Sequence, residues 1–242
     1  MAVRRVLGRV GAVVFLLFIA AVVAFVLWAE SPMRAEDGPL KAAQSDDAFV
    51  YRETDEGVTL TPRDPDGTGL VFFSGARVEP AAYADKLSGL AEAGVTVVIV
   101  RPILNFAIFE YRPLSDFEVA GVDSWYVGGH SLGGVKACQY AADTGNDSAG
   151  LVLFGSYCAS SIADTNLAVL TLAAENDGLS TPAKIEDAAG LLPADAELVT
   201  LPGAVHAQFG DYGVQPGDGT PTATDDEVSV EITSAVLAFW QR

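Results

Sequence analysis

The segment Gly129-His130-Ser131-Leu132-Gly133-Gly134 constrains this chain more than any other stretch of it. Glycines two residues before and two residues after a serine suit a strand that turns sharply at the serine and enters a helix. In such a turn the serine backbone is strained and its flanking residues nearly touch, so side chains at Gly129 and Gly133 would collide. The surroundings agree. Ser124-Trp125-Tyr126-Val127-Gly128 reads as a buried strand, and Leu132 to Ala142 as a helix with small residues on one face. That helix is expected to end near Asp143-Thr144-Gly145. The chain has two histidines. His130 lies inside the motif, where it should face away from the serine and pack, so His206 is the other available imidazole.

The first 29 residues are of a different kind. Val10 to Trp28 carries no charge, and Arg4, Arg5 and Arg9 precede it. This run is long enough to cross a bilayer as a helix and exceeds a typical signal-peptide core. Basic residues before a span stay in the cytoplasm, which places everything after residue 29 outside. Leu27-Trp28-Ala29 is a poor cleavage site, so residues 1–29 read as a retained anchor, with secretion after cleavage as the alternative. Residues 30–48, polar and acidic with Pro32, Gly38 and Pro39, read as a tether. Residues 49–242 form the domain.

Without residues 1–29 the chain keeps 11 of its 14 basic residues against 32 acidic ones, a net charge of −21. That balance argues against nucleic acid or an anionic membrane surface as partner. Two histidines and two well-separated cysteines do not form a usual metal-ligand set, and no metal or cofactor is expected. Export would permit Cys138 and Cys158 to form a disulfide, if geometry allows; otherwise they are two small buried hydrophobes.

Strands and helices alternate through the domain. Gly57–Thr61, Gly69–Phe73, Val95–Val100, Ser124–Gly128, Gly150–Phe154, Leu167–Leu172 and Glu197–Leu201 read as strands. Helices are expected from Pro80 to about Ala93, after Ser131, from Thr181 to about Leu192, and behind the capping box Thr224–Glu227. This pattern predicts an α/β fold, a mostly parallel sheet with helices on both faces. In such sheets chemistry gathers at the carboxyl ends of the strands.

A serine hydroxyl is scarcely ionised at neutral pH, so Ser131 needs a base, and the base needs an acid to orient it. His206 follows a predicted strand and is the candidate base. The loop after the strand ending near Leu172 offers Asp177 as the acid, with Glu175 as runner-up. The backbone N–H groups of Leu132 and Ala76 are the candidate oxyanion donors.

With these residues in view, the sequence resembles the α/β-hydrolase superfamily, and within it a small, lidless, dienelactone-hydrolase-like branch of bacterial proteins. The resemblance runs through Val71–Ala76 with Pro80–Tyr83, then Gly128–Gly134, Gly150–Tyr157, Asn176–Leu179, Leu191–Asp195 and His206–Gly213. It covers about residues 58–242 and implies Ser131 as nucleophile, Asp177 as acid and His206 as base. The chain departs from that branch in its short Phe106–Ser124 segment, where a longer helix is expected, and in Ser74, where proline is usual. The stretch through Gly217-Asp218-Gly219 is distinctive of the branch but has no evident chemical role. About a dozen residues separate the strand ending at Phe154 from the next, leaving no room for a lid domain. An open site taking small or medium acyl substrates is expected, rather than a long chain held in a closed tunnel. The same triad would serve an acyltransferase, and an inactive hydrolase fold could act as a membrane-tethered binding protein.

Overall fold

The structure is a computed structural model that describes residues 2–143 and 147–241. Thr144 and Gly145, expected at the end of the elbow helix, lie outside the described residues.

Eight strands form one sheet in the order β1-β2-β4-β3-β5-β6-β7-β8. These are β1 (Phe49–Thr54), β2 (Gly57–Pro62), β3 (Thr68–Phe73), β4 (Thr96–Val100), β5 (Ser124–His130), β6 (Gly150–Phe154), β7 (Ala168–Ala174) and β8 (Glu197–Leu201). From β3 to β8 neighbouring strands are parallel, while β2 runs antiparallel to both β1 and β4.

Both faces of the sheet are covered, which is why the central strands read as unbroken apolar runs. In β3, Leu70 and Phe72 enter one core while Val71 and Phe73 enter the other. In β6, Val152 and Phe154 divide from Leu151 and Leu153 in the same way. The helices are α1 (Ala2–Ala29), α2 (Asp37–Ser45), α3 (Ser88–Glu92), α4 (Leu132–Ala142), α5 (Pro182–Asp187) and α6 (Asp225–Trp240). Residues of α2, α3 and α6 pack on the first face, and Ala137, Cys138 and Tyr140 of α4 on the second. The Thr224–Glu227 capping box is formed, with Glu227 N–H donating to Thr224 Oγ1 and Thr224 N–H to Glu227 Oε2. Cys138 and Cys158 are bonded, tying α4 to the segment after β6.

Four expectations change, one being that the helix expected from Thr181 to about Leu192 ends at Asp187 and is followed by a 3₁₀ turn at Ala189–Leu191. The helix expected from Pro80 to Ala93 is interrupted: a 3₁₀ turn at Pro80–Tyr83 precedes α3. The carbonyl of Ala82, which a continuous helix would give to residue 86, accepts the Asp211 N–H instead, at 2.6 Å. Strand β1 is additional. It is an outer strand with only Phe49 buried, so it carries little apolar signal. Finally, residues 30–48, read as a tether, lie folded on the domain. Met33 N–H donates to Arg77 C=O, Glu79 N–H to Met33 C=O, and Glu36 N–H to Asp211 C=O. Ala43 of α2 is buried. Backbone pairing of this kind leaves no mark on composition, which is why the polar segment suggested a free linker.

Asp211 also carries a buried ion pair with Lys86 at 3.0 Å. Burial pushes the Asp211 carboxyl up to about 6, against the opposing pull of the Lys86 ammonium. An acid whose folded-state pKa lies above its unfolded value favours folding in its protonated form. The contribution of Asp211 therefore falls as pH rises from about 4 through 6. Lys86→Met leaves this carboxylate without its counter-charge and is expected to cost about 3–5 kcal/mol at pH 8. The cost shrinks at pH 5, where Asp211 takes up a proton. Urea unfolding at the two pH values checks this, and an equal loss at both contradicts it.

Candidate active site

Ser131 sits between β5 and α4 with φ 52° and ψ −121°, a left-handed conformation rare outside glycine. Its neighbours explain how the chain tolerates this. A Cβ built on Gly129 would lie 2.4 Å from the Gly133 carbonyl carbon, and one on Gly133 would lie 2.0 Å from the Phe73 carbonyl oxygen. Both glycines are therefore fixed by contact with backbone. The serine's own peptide groups are tied to the end of β6: its N–H donates to Phe154 C=O at 3.0 Å, and its C=O accepts from Ser156 Oγ at 2.7 Å. The side chain is partly exposed at the strand end.

Asp177 and His206 come together from the ends of β7 and β8. Asp177 Oδ2 and His206 Nδ1 are 2.7 Å apart, and both side chains are buried. The other carboxylate oxygen, Oδ1, accepts the N–H groups of Leu179 and Ser180, each at 2.7 Å. These bonds fix the carboxylate so that Oδ2 presents itself to the imidazole. Glu175, the runner-up, is exposed and accepts from Gly203 N–H at 2.7 Å, joining the ends of β7 and β8 without touching the histidine. The His206 ring lies against His130, the residue before the serine, with centroids 4.4 Å apart. A Cβ on Gly155 would come within 3.1 Å of His206 Nδ1, so the turn after β6 forms another wall of the imidazole's seat.

Leu132 opens α4, and Ala76 lies in the loop after β3. Among the described residues neither N–H meets a protein acceptor. The close approach of Gly133 to Phe73 and Ser74 carbonyls places the start of α4 against the start of that loop. Ser74, in the position where proline was expected, is buried and donates its hydroxyl to Val100 C=O.

His130 is buried, as expected of a packing residue, but it also links parts of the site. Tyr83 Oη accepts from Gly75 N–H at 2.9 Å and shares a second hydrogen bond of 2.9 Å with His130 Nδ1. The Ala76 loop is thus held to the strand that carries the serine. Burial, with His206 nearby, keeps His130 well below the usual imidazole pKa, so this ring stays neutral.

Asp218 was not recognised as a site residue from sequence. Its Oδ1 accepts from Gly178, His206 and Gly219 N–H, and its Oδ2 from Ala207 N–H. One carboxylate therefore joins the Asp177 loop to the His206 loop, which accounts for the Gly217-Asp218-Gly219 stretch. The glycines on either side were the available signal, since they let backbone close around the acid. The segment between β6 and β7 holds no helix that could serve as a lid. Between Phe106 and Ser124 only 3₁₀ turns occur, in place of the longer helix. No groups of His, Cys, Asp and Glu suited to a metal occur among the described residues.

An eight-stranded, mostly parallel sheet with a left-handed serine between strand and helix defines the α/β-hydrolase class. The model of the Alpha/beta hydrolase family matches residues 69–229, and the chain belongs to that family. Solved structures agree on the fold. Est1E from Butyrivibrio proteoclasticus superposes with a TM-score of 0.53 at 13% identity, over 81% of this chain and 100% of its own. A predicted CIB-like hydrolase from Thermoplasma acidophilum gives 0.58 at 12% identity, covering 78% and 98%. MGS-MChE2, an alpha/beta hydrolase from a lagoon-sediment metagenome, gives 0.51 at 20% identity, covering 64% and 89%. A search of curated proteins gives no significant match.

If Asp218 sets the separation of the Asp177 and His206 loops, Asp218→Ala should lower kcat/KM for an activated ester by about a hundredfold, as expected when a reacting group shifts by about 1 Å. Circular dichroism should show the fold retained. Full activity in this variant contradicts the clamp.

Proposed function

We propose that the chain is a serine hydrolase acting on carboxylic esters or related acyl bonds, with Ser131, His206 and Asp177 as its triad. The observation that supports it best is the buried 2.7 Å bond between Asp177 and His206, whose ring lies against His130, the residue before the left-handed Ser131. On this reading His206 Nδ1–H donates to Asp177, leaving Nε2 free to take the Ser131 proton. Ser131 Oγ then bonds to the substrate carbonyl carbon, and the carbonyl oxygen becomes an oxyanion held by the N–H groups of Leu132 and Ala76. Collapse of this intermediate breaks the bond to the alcohol, which leaves with the proton from Nε2. Water attacks the acyl-enzyme by the same path in reverse, gives its proton to Nε2, and frees the acid and Ser131.

The domain is proposed to stand outside the cytoplasm, held by α1. Arg9–Ala29 is the one helix among the described residues long and apolar enough to cross a membrane. Ala29 is fully buried against the domain, and the Arg77 guanidinium lies 4.2 Å from the Trp28 ring centroid. A helix end packed in this way supports a retained anchor rather than a cleaved signal.

A fluorophosphonate probe should label the wild-type chain and leave Ser131→Ala unlabelled; equal labelling of both removes Ser131 from the role. Asp177→Asn should lose about 10⁴-fold in kcat, as expected when an imidazole is held in the wrong tautomer. Glu175→Gln should lose far less, and the opposite ranking transfers the acid's role to Glu175.

A further inference from the structure

The end of α1 is fastened to two loops that belong to the catalytic rim. Arg77, next to Ala76 after β3, donates to the carbonyls of Trp28 and Ser31. Asn105, after β4, donates its Nδ2 to Ala29 C=O at 3.0 Å. In the sheet β4 adjoins β3, and β3 adjoins β5, which leads into Ser131. All three strands are parallel, so the helix emerges on the edge where the serine stands. Strands lie about 4.8 Å apart, which puts the serine within roughly 10 Å of the strand whose loop holds the anchor.

The loop after β4 continues the apolar surface of the helix. Phe106 stacks with Phe25 at 6.1 Å and lies tilted against Trp28 at 5.6 Å, while Phe109 meets Phe25 edge-on at 6.4 Å. Phe25 lies four residues before the end of the span, or about 6 Å into it at helical rise. Phe109 therefore lies against the last turns of that span. Ile108 and Phe109 are 43% and 45% exposed, and Tyr111 is 82% exposed. These residues are not a loose tip. Glu110 is buried and accepts from Tyr111 and Arg112 N–H and from the Arg112 guanidinium. The Tyr140 hydroxyl then fixes Arg112 C=O.

We propose that the Phe106–Tyr111 loop rests in the bilayer interface beside the anchor and turns the Ser131 rim toward the lipid surface. The esters it meets are then those resident in that surface. Such a substrate keeps its tail in the bilayer and offers only its ester to the protein, so a lidless site needs no tunnel. The substrate class depends on the hydrolase reading given above; the bilayer contact does not. Nearby cations are engaged within the protein: Arg77 with helix-end carbonyls, Arg101 with Glu53, and Arg112 with Glu110. The contact is therefore apolar, and zwitterionic lipid should suffice.

The native cysteines are bonded to each other, so an added thiol can be labelled alone. The full chain carrying Ile108→Cys, or Val230→Cys on α6 as reference, is labelled with an environment-sensitive nitrobenzoxadiazole and placed in phosphatidylcholine vesicles. Position 108 should be quenched by headgroup-proximal spin-labelled lipid at least about threefold more than position 230, with the reverse order for aqueous iodide. Equal iodide quenching at both positions overturns the proposal. Shielding of position 108 in native membranes but not in pure lipid also overturns it, because a protein then covers the loop. The double variant Ile108→Ser/Tyr111→Ser should lower the ratio of vesicle-embedded to dissolved ester turnover by about tenfold. An unchanged ratio overturns the substrate class. If the wild type turns over neither ester while position 108 sits in lipid, the hydrolase reading fails and the bilayer contact stands.

Discussion

The close approach of Gly129 to Gly133, and of Gly133 to the Phe73 carbonyl, is the constraint on which the rest of the site depends. It lets β5 turn into α4 within a single residue and leaves Ser131 in a conformation that costs about 1–3 kcal/mol. The surroundings offset that cost. Two hydrogen bonds tie the serine peptide groups to the end of β6, and β5 is held between strands β3 and β6 with apolar cores on both faces of the sheet. Any side chain at either glycine would push apart the strand, the helix and the Ala76 loop together.

Carboxylates organise the loops around this turn. Asp177 takes two backbone N–H groups and an imidazole; Asp218 takes backbone N–H groups from both the Asp177 and His206 loops; Glu110 ties down the segment beside α1. Each satisfies buried or half-buried donors that would otherwise lack partners, at sites where loops rather than regular structure carry the chain. Part of the acidic surplus that argued against anionic partners thus has structural work inside the protein.

The sheet was legible where burial on both faces left unbroken apolar runs, as in β3, β4 and β6. The serine turn was legible because its geometry demands glycine at fixed positions. Asp177 could be preferred over Glu175 from its loop, and the geometry brings it, not Glu175, to His206. What escaped sequence reading has a common cause. Strand β1, the docking of residues 30–48 and the break before α3 depend on backbone hydrogen bonds, which side-chain patterns do not report. Tyr83 falls inside the helix expected from Pro80 to Ala93, and its hydroxyl's partners lie at Gly75 and His130. Asp218 stood in a glycine-rich stretch whose distant partners only folding reveals.

The proposed chemistry turns on an acyl group passing through the hydroxyl at position 131. Quenching the full chain in acid during turnover of a slowly deacylated ester, followed by peptide mass spectrometry, tests that directly. One acyl mass should appear on the peptide containing Ser131 and vanish as substrate is exhausted. Sustained turnover with the acyl mass on another residue, or on none, would contradict the account.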